Sequence, residues 1–432
     1  MPNKLKPIKN LAKDLKNISA KRVLVRCDFD VPLKQLIINN KQEIKVRIID
    51  DSRLKTCLPT IQYLIKKQAG QIILAGHLGR PDGMTVKNLS LFPVAKRLEK
   101  LLAENTKYTS KSDQHMAGVT QNTHKFKIQN SKFKIHFIKD IDRYFSRKIQ
   151  ELVKSSASRI IMLENLRFSG REEANCGRFA KNLSRIADVY VNESFAASHR
   201  AHSSIDAIQN YLPSYLGFHT QKEIENLSAV LDDQQKPLAL IVGGAKIETK
   251  LPLINLFLNR ADCILIGGAV ANNFLKASGH DIGGSLVDDS FLATAKRMLA
   301  LSGKTAGPQN FKDKRKIQTS NARLILPVDW KMEGSRIFDI GPRTIKLFGG
   351  IIQTAKTIIW NGPMGRSEIV KFKTGTAVVA KLILESCART VIAGGDTGLV
   401  LRGKKIPANI FISSGGGAAL EFLSGKRLPG IR

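Results

Sequence analysis

Long apolar runs, paired cysteines and acidic residues are all in short supply here. No stretch nears the roughly 18–20 uninterrupted apolar residues that a membrane helix needs, so no membrane association is expected. The five cysteines are Cys27, Cys57, Cys176, Cys263 and Cys387. Their odd number, wide spacing and lack of any C-x-x-C pair argue against a disulfide framework or a zinc site and fit reduced thiols. Met1–Lys21 interleaves lysine with leucine and isoleucine and has no apolar h-region. A secretory leader is therefore not expected, and the protein is placed in the cytoplasm. Asp and Glu number 36 against 69 Lys and Arg, a net charge of +33. Such an excess attracts polyanions in a salt-sensitive way. The basic residues are scattered, however, and no RNP-type aromatic motif or zinc finger accompanies them, so nucleic-acid binding is expected to be non-specific at most.

A chain of 432 residues is too long for one ordinary core and right for two domains. Short β-branched runs recur, each followed by a polar turn and a helix-period stretch. They are Val23–Val25, Ile72–Leu74, Ile160–Leu163 and Val189–Val191, then Leu238–Val242, Ile264–Ile266, Leu324–Leu326, Thr357–Trp360, Val391–Ala393 and Ile410–Ile412. Runs of this kind predict parallel strands buried on both faces, hence an α/β protein with two doubly wound sheets. Tyr211-Leu212-Pro213-Ser214 punctuates the chain, and Lys222–Leu231 has the pattern of an amphipathic connecting helix. The expected domains are 1–212 and 213–417, the second beginning with that helix. Glu104–His136, polar and lysine-rich with the repeat Lys125-Phe126-Lys127-Ile128 and Lys132-Phe133-Lys134-Ile135, looks like a surface insertion that the fold does not need. Ser302–Asn321 has the same character.

Gly-rich turns that follow strands and open helices offer free N–H groups to anions. The second half carries four: Gly243-Gly244-Ala245-Lys246, Gly267-Gly268, Gly394-Gly395-Asp396-Thr397 and Gly415-Gly416-Gly417. One such turn more often serves tight packing; four together indicate a nucleotide or phosphate site. Gly398–Lys405 resembles a P-loop only superficially, because Lys405 stands where a magnesium-binding Ser or Thr is required. The first half places His77, Arg80 and Arg167 at the ends of predicted strands, Arg53 after the turn Asp50-Asp51-Ser52, and His199, Arg200 and His202 after Asn192-Glu193-Ser194-Phe195. Arginines at several strand ends suit a small substrate bearing phosphate and carboxylate groups. Each alone reads as a solvated surface residue. His199 and His202 lack the further ligands of a metal site.

In order along the chain, the segments Val23–Pro32, His77–Pro81, Glu164–Phe168, His199–His202, Gly243–Lys246 with Lys250, Trp360–Gly365 with Glu368, Gly394–Thr397 and Gly415–Gly417 resemble the phosphoglycerate kinase family. The resemblance implies reversible phosphoryl transfer between 1,3-bisphosphoglycerate and ADP, giving 3-phosphoglycerate and ATP, with Mg²⁺ accompanying the nucleotide and the enzyme acting as a monomer. It implies that Asp28, Asp30, Arg53, His77, Arg80, Arg167 and Arg200 hold phosphoglycerate. Lys246, with Arg53 opposite, would approach the moving group. Lys250 and Asn361 would contact the nucleotide phosphates, Glu368 the ribose, and Gly267, Gly268 and Leu326 the adenine. Asp396, beside Thr397, would hold the metal. The N–H groups of Gly394, Gly395, Gly415, Gly416 and Gly417 would stabilise developing charge. It further implies domain closure about a hinge and a tail, 418–432, that returns to the first domain. A polyanion-binding protein on a kinase scaffold is the alternative.

Four positions depart from the family pattern. Asp30 replaces an Asn, Glu193 an Asp, and Ala393 a Gly, where the added methyl is expected to crowd the phosphates. The stretch between Asp329 and Asp339 is short, a trimming expected to lie away from the chemistry.

Overall fold

The structure is a computed structural model that describes residues 10–14, 17–38, 43–105, 133–139, 158–232, 234–302 and 322–431, with isolated residues between 151 and 156. Contacts divide the chain into two compact units, Met1–Lys222 with Leu428–Arg432, and Glu223–Arg427.

The first unit is built on strands β1 (Arg22–Cys27), β4 (Gln71–Ala75), β5 (Ile135–Ile138), β6 (Ile160–Leu163), β7 (Val189–Glu193) and β8 (Ser214–Leu216); a separate hairpin pairs β2 (Leu33–Ile38) with β3 (Glu43–Ile48). The six-stranded sheet runs β5-β6-β4-β1-β7-β8 and its pairings are parallel. Alternation along β1 shows why its run is apolar throughout. Val23, Val25 and Cys27 join one core cluster with Leu54, Leu58 and Ile61 of the helix Ser52–Lys66. Leu24 joins another with Phe179 and Leu183 of the helix Gly177–Ser184. Both faces are covered, as parallel sheets require.

In the second unit β9 (Leu238–Val242), β10 (Cys263–Ile266), β11 (Arg323–Ile325), β14 (Thr357–Asn361), β15 (Arg389–Ala393) and β16 (Ile410–Ser413) form a sheet of order β11-β10-β9-β14-β15-β16. Between them, β12 (Trp330–Glu333) and β13 (Arg336–Ile340) make an antiparallel hairpin. The helices Pro342–Thr354 and Thr374–Glu385 cover one face, with Phe348, Ile352, Val379 and Ile383 packed against Ile241, Leu265, Ile358 and Trp360.

The unit boundary falls after Lys222, inside a helix Phe218–Asp232, rather than at 212. Pro213 punctuates the chain but does not end the unit, because the adjoining Ser214–Leu216 adds β8 to the first sheet. The tail joins the first unit from Leu428, not from Ala418. Ala418 and Ala419 lie in the helix Gly417–Leu423 of the second unit. Gly430 carries the attachment: its carbonyl accepts from Asn192 Nδ2 at 2.9 Å and its N–H donates to Ser198 O at 2.8 Å.

Glu104–His136 is not wholly an insertion. Residues 106–132 lie outside the described residues, as do 303–321 of the second polar stretch. Ile135 and His136, however, belong to β5 and pair with Ile160 and Ile161 of β6. Phe133 packs on the core, and Ile135 is buried. Two apolar residues in a lysine-rich repeat were too few to register as a strand. Ile135→Ala is accordingly expected to destabilise the protein by about 2–4 kcal/mol in urea unfolding, and replacing Glu104–His136 with a Gly/Ser linker to do more. Wild-type stability in both would show that β5 is dispensable.

Glu193, at the end of β7, sits fully buried against the start of the helix Phe218–Asp232. Oε1 accepts from Thr60 Oγ1 at 2.6 Å and His219 N at 3.1 Å, and Oε2 from Thr220 N at 3.2 Å. Burial pushes the carboxyl up to about 7, against the pull of these donors. The folded protein thus favours the protonated form. Its contribution to stability is complete below the ordinary glutamate value and is lost as pH rises through about 7, an effect on the order of 3 kcal/mol. Glu193→Gln is therefore expected to flatten the decline in unfolding free energy between about pH 5 and about pH 8. Parallel pH profiles for the two proteins would overturn this account.

Candidate active site

In the first unit the predicted residues collect where strands end. Asp28 and Asp30 follow β1, His77 and Arg80 follow β4, Arg167 follows β6, and His199, Arg200 and His202 follow β7. Arg53 lies in the first turn of Ser52–Lys66. Its Nη1 donates to both oxygens of Asp28, at 3.0 and 3.1 Å, and lies 4.0 Å from Asp30 Oδ2. Asp28 is buried, and burial raises its carboxyl against the opposing pull of Arg53. Asp30 Oδ1 accepts from Gly79 N at 2.9 Å, while Arg167 Nη1 donates to Gly79 O at 2.8 Å. The Gly79 residue therefore links Asp30 to Arg167. The guanidinium of Arg167 also approaches Glu173 to 3.2 Å, but its Nε makes no well-aligned hydrogen bond. Arg80 is exposed and Arg200 half-buried, its Nε 3.4 Å from His199 Nε2.

Beneath these residues lies Arg26, 1% exposed. Nη2 meets His77 Nδ1 at 3.0 Å, Nη1 donates to Cys27 O at 2.6 Å and Nε to Ser204 Oγ at 2.8 Å. Ser204 in turn donates its hydroxyl to Glu172 Oε1 at 2.5 Å and its N–H to Oε2 at 3.0 Å. Glu172 is fully buried; burial raises its carboxyl, with Arg26 and Ser204 opposing. His77 is held well below the usual histidine value, by burial first and then by Arg26, Arg167, His202 and Arg200. His202 falls to about 3 for the same kinds of reason. Both imidazoles are therefore neutral at physiological pH, and His202 Nδ1 is buried without a hydrogen-bond partner among the described residues.

The glycine turns of the second unit are not alike. Gly243-Gly244 after β9, Gly267-Gly268 after β10 and Gly362 after β14 press backbone against backbone. A Cβ on Gly268, at φ +60°, would lie 2.5 Å from Gly244 N, and one on Gly243 would lie 2.1 Å from Pro363 O. Hydrogen bonds seal the contact: Gly244 N to Pro363 O at 2.8 Å and Gly268 N to Met364 O at 2.9 Å. These turns are closed by packing. Gly395 and Gly416, in contrast, have nothing within 4 Å of a Cβ position. They precede or open the helices Gly395–Leu399 and Gly417–Leu423. The Gly415 N–H is already engaged by Ser413 Oγ at 3.0 Å, so Gly416 and Gly417 are the remaining donors of that turn. Asp396 lies in the first turn of Gly395–Leu399, and Thr397 Oγ1 accepts from Gly362 N at 2.9 Å. Ala393 is the last residue of β15 and fully buried. Lys246 is exposed; Lys250 Nζ bonds Asn361 Oδ1, whose Nδ2 donates to Ala393 O at 2.7 Å.

A cavity of about 630 Å³ adjoins the closed turns, lined by Gly244, Gly268, Asn272, Trp330, Phe338 and Glu368 among others. Glu368 is exposed and pairs with Arg366 at 3.0 Å, which holds its carboxyl below the usual range after its own backbone N–H. Gly268 and Glu368 thus line the same cavity. Leu326 and Gly267 are not in the lining; Pro327 and Gly268, their neighbours, are. The short stretch between Asp329 and Asp339 is the β12–β13 hairpin, and it walls this cavity. Its alternation was too brief to read as paired strands.

Sequence reasoning passed over Arg26, Glu172 and Ser204. A signal was present for the first: an arginine inside Val23–Cys27, a run otherwise fit for burial on both faces, must find partners. Ser204 and Glu172 lie in polar stretches that carry no such contrast.

A profile of the phosphoglycerate kinase family matches residues 12–426. The chain is 37% identical over 430 residues to the phosphoglycerate kinase of Finegoldia magna, covering 98% of each, and 36% identical to that of Moorella thermoacetica, covering 97% of each. Among solved structures it resembles the phosphoglycerate kinase of Coxiella burnetii, with a TM-score of 0.74 and 30% identity over 98% of both chains. It also resembles that of Pyrococcus horikoshii, with a TM-score of 0.71 and 29% identity over 98% of this chain and 97% of the other. Full-length similarity to proteins of one name, on a fold whose strand ends carry the arginines and glycine turns described above, establishes that the chain belongs to the phosphoglycerate kinase family.

Proposed function

We propose that the enzyme transfers the phosphoryl group in line and directly between 1,3-bisphosphoglycerate and ADP, without a phosphoenzyme. In that direction the bond from phosphorus to the acyl oxygen breaks as a bond to the terminal ADP oxygen forms. That oxygen is already ionised, so no general base is required. Alignment and charge neutralisation carry such a reaction. The observation that carries the reading is the contrast between the units: guanidinium and imidazole groups at the strand ends of one, open glycine turns at those of the other.

On this reading Arg53, His77, Arg80, Arg167 and Arg200 hold the phosphate and carboxylate of phosphoglycerate, with Asp28 orienting Arg53. In the second unit Lys250 and Asn361 place the nucleotide phosphates, Gly268 and Glu368 border the base and ribose, and Lys246 reaches the transferring group. The N–H groups of Gly394, Gly395, Gly416 and Gly417 receive the charge that develops. Mg²⁺, when bound with the nucleotide, neutralises phosphate charge, and Asp396 at the open turn would hold it. One carboxylate beside phosphate oxygens and water suits this hard ion. The enzyme is further proposed to work as a cytoplasmic monomer.

A coupled assay with ATP, Mg²⁺ and 3-phosphoglycerate tests the reaction, and its variants test the roles. Lys246→Ala is expected to lower kcat at least about 100-fold, the scale of losing one transition-state donor, and to leave nucleotide affinity nearly unchanged. A loss below about tenfold would remove Lys246 from the transferring group.

Asp30→Asn is expected to lower KM for 3-phosphoglycerate several-fold and leave KM for ATP unchanged. The amide keeps an oxygen for Gly79 N, removes a negative charge that Arg53 meets only at 4.0 Å, and adds a donor. Equal KM values for 3-phosphoglycerate at one ionic strength would mean that Arg53 and Arg167 already neutralise this carboxylate.

A further inference from the structure

A guanidinium donates through every N–H and has no lone pair with which to accept. It also keeps its proton at any physiological pH. The contact between Arg26 Nη2 and His77 Nδ1 at 3.0 Å therefore has one possible polarity. Nδ1 must be the unprotonated nitrogen, and the ring proton must reside on Nε2. A proton on Nδ1 would face an N–H, and so would an imidazolium.

The guanidinium has little freedom to relax this constraint. Its Nη1 is tied to Cys27 O and its Nε to Ser204 Oγ, both on the same buried side chain. Ser204 must use its hydroxyl proton toward Glu172 Oε1, since it receives one from Arg26. The bonds thus diverge from Arg26, which donates to His77 Nδ1 on one side and, on the other, to Ser204, whose hydroxyl donates to the Glu172 carboxylate. Arg26 and Glu172 are both buried, at 1% and 0% exposure. Burial sets Arg26 apart from Arg53, Arg80 and Arg200, which are partly or fully accessible.

We propose that Arg26 is a positioning residue that fixes His77 as its Nε2–H tautomer, so that the histidine presents one neutral donor to the anionic substrate. The proposal rests on the reading of His77 as a substrate ligand. A neutral donor has a physical advantage at this place. Arg26, Arg167 and Arg200 already surround the ring. A further positive charge would be repelled, while a directed N–H adds recognition without it.

Long-range ¹H–¹⁵N correlation spectra of the full chain, with the His77 signals assigned by their loss in His77→Ala, read the tautomer directly. The Nε2–H pattern is expected from about pH 6 to about pH 8; an Nδ1–H or averaged imidazolium pattern would overturn the proposal. Steady-state kinetics then test the consequence. Arg26→Met is expected to raise KM for 3-phosphoglycerate about tenfold and to change KM for ATP less than about twofold, and in a His77→Ala background to add less than about twofold. Multiplicative effects in the double variant would show that Arg26 acts independently of His77 and would overturn the positioning role. If His77→Ala itself leaves KM unchanged, the substrate role of His77 fails. If His77→Ala raises KM and Arg26→Met does not, the positioning role alone fails. Should Arg26→Met not fold, the spectra of the wild-type protein still decide the tautomer.

Discussion

Covering a parallel sheet on both faces confines its polar business to the strand ends. Val23, Leu24 and Val25 show the constraint at its simplest, each fully buried and sorted to opposite cores. Side chains within such strands must be apolar, or else be charged and fully partnered, as Arg26 is. Residues just past a strand are free of that demand, and the crevice outside the carboxyl ends is where chemistry can gather. Asp28, His77, Arg167 and His202 all stand beyond a strand terminus in the first unit. The glycine turns of the second unit occupy the same position in its sheet. The fold therefore determines the location of the site before any particular side chain determines its selectivity.

Within the first unit, electrostatics is resolved by layers. Deep in the protein, Arg26 and Glu172 are connected through Ser204, so neither charge is left without a partner where desolvation would be most costly. Above them the histidines are neutral, because burial and neighbouring guanidinium groups disfavour their charged forms. Only toward solvent do cations remain available, on Arg53, Arg80 and Arg200. Asp28 and Asp30 temper this outer layer: one engages Arg53, the other the Gly79 backbone that Arg167 also touches. The cluster is thus less cationic than a count of its arginines suggests, and more directional.

How much of this could be read in advance depends on the physical origin of each feature. The apolar runs that became the central strands, such as Leu238–Val242 and Thr357–Asn361, were legible because burial on both faces leaves an unbroken signature. Ile135–Ile138 and Ser214–Leu216 were not, since the first adjoins a lysine-rich stretch and the second is only 3 residues long. The hairpin Trp330–Ile340 was hidden by its brevity, although it walls the cavity beside the closed turns. Glycine turns were visible, but their division into closed and open was not. Gly268 and Gly416 both adopt positive φ, at +60° and +52°, and only the surroundings distinguish them. The boundary of the first unit was misplaced because proline punctuates a chain locally, whereas a domain ends where contacts do.

The proposed function assigns the two units different physical means of handling anions. The first relies on side chains whose charge is set by burial and by neighbours, and whose reach is long. Such groups can meet a small carboxylate and phosphate in detail, but they hold their geometry only if something beneath them is fixed; Arg26, Asp28 and Gly79 supply that support. The second relies on main-chain N–H groups whose positions follow from the backbone itself. There the closed turns at Gly243, Gly268 and Gly362 are the support, because their contacts tolerate no Cβ and so hold the loops after β9, β10 and β14 together. The open turns at Gly395 and Gly416 carry donors without any side chain intervening. Backbone donors that need not reorganise are suited to a charge that appears only during reaction, and adjustable cations to one present from the outset. A substrate that is held and a group that is moved thus call for different kinds of donor.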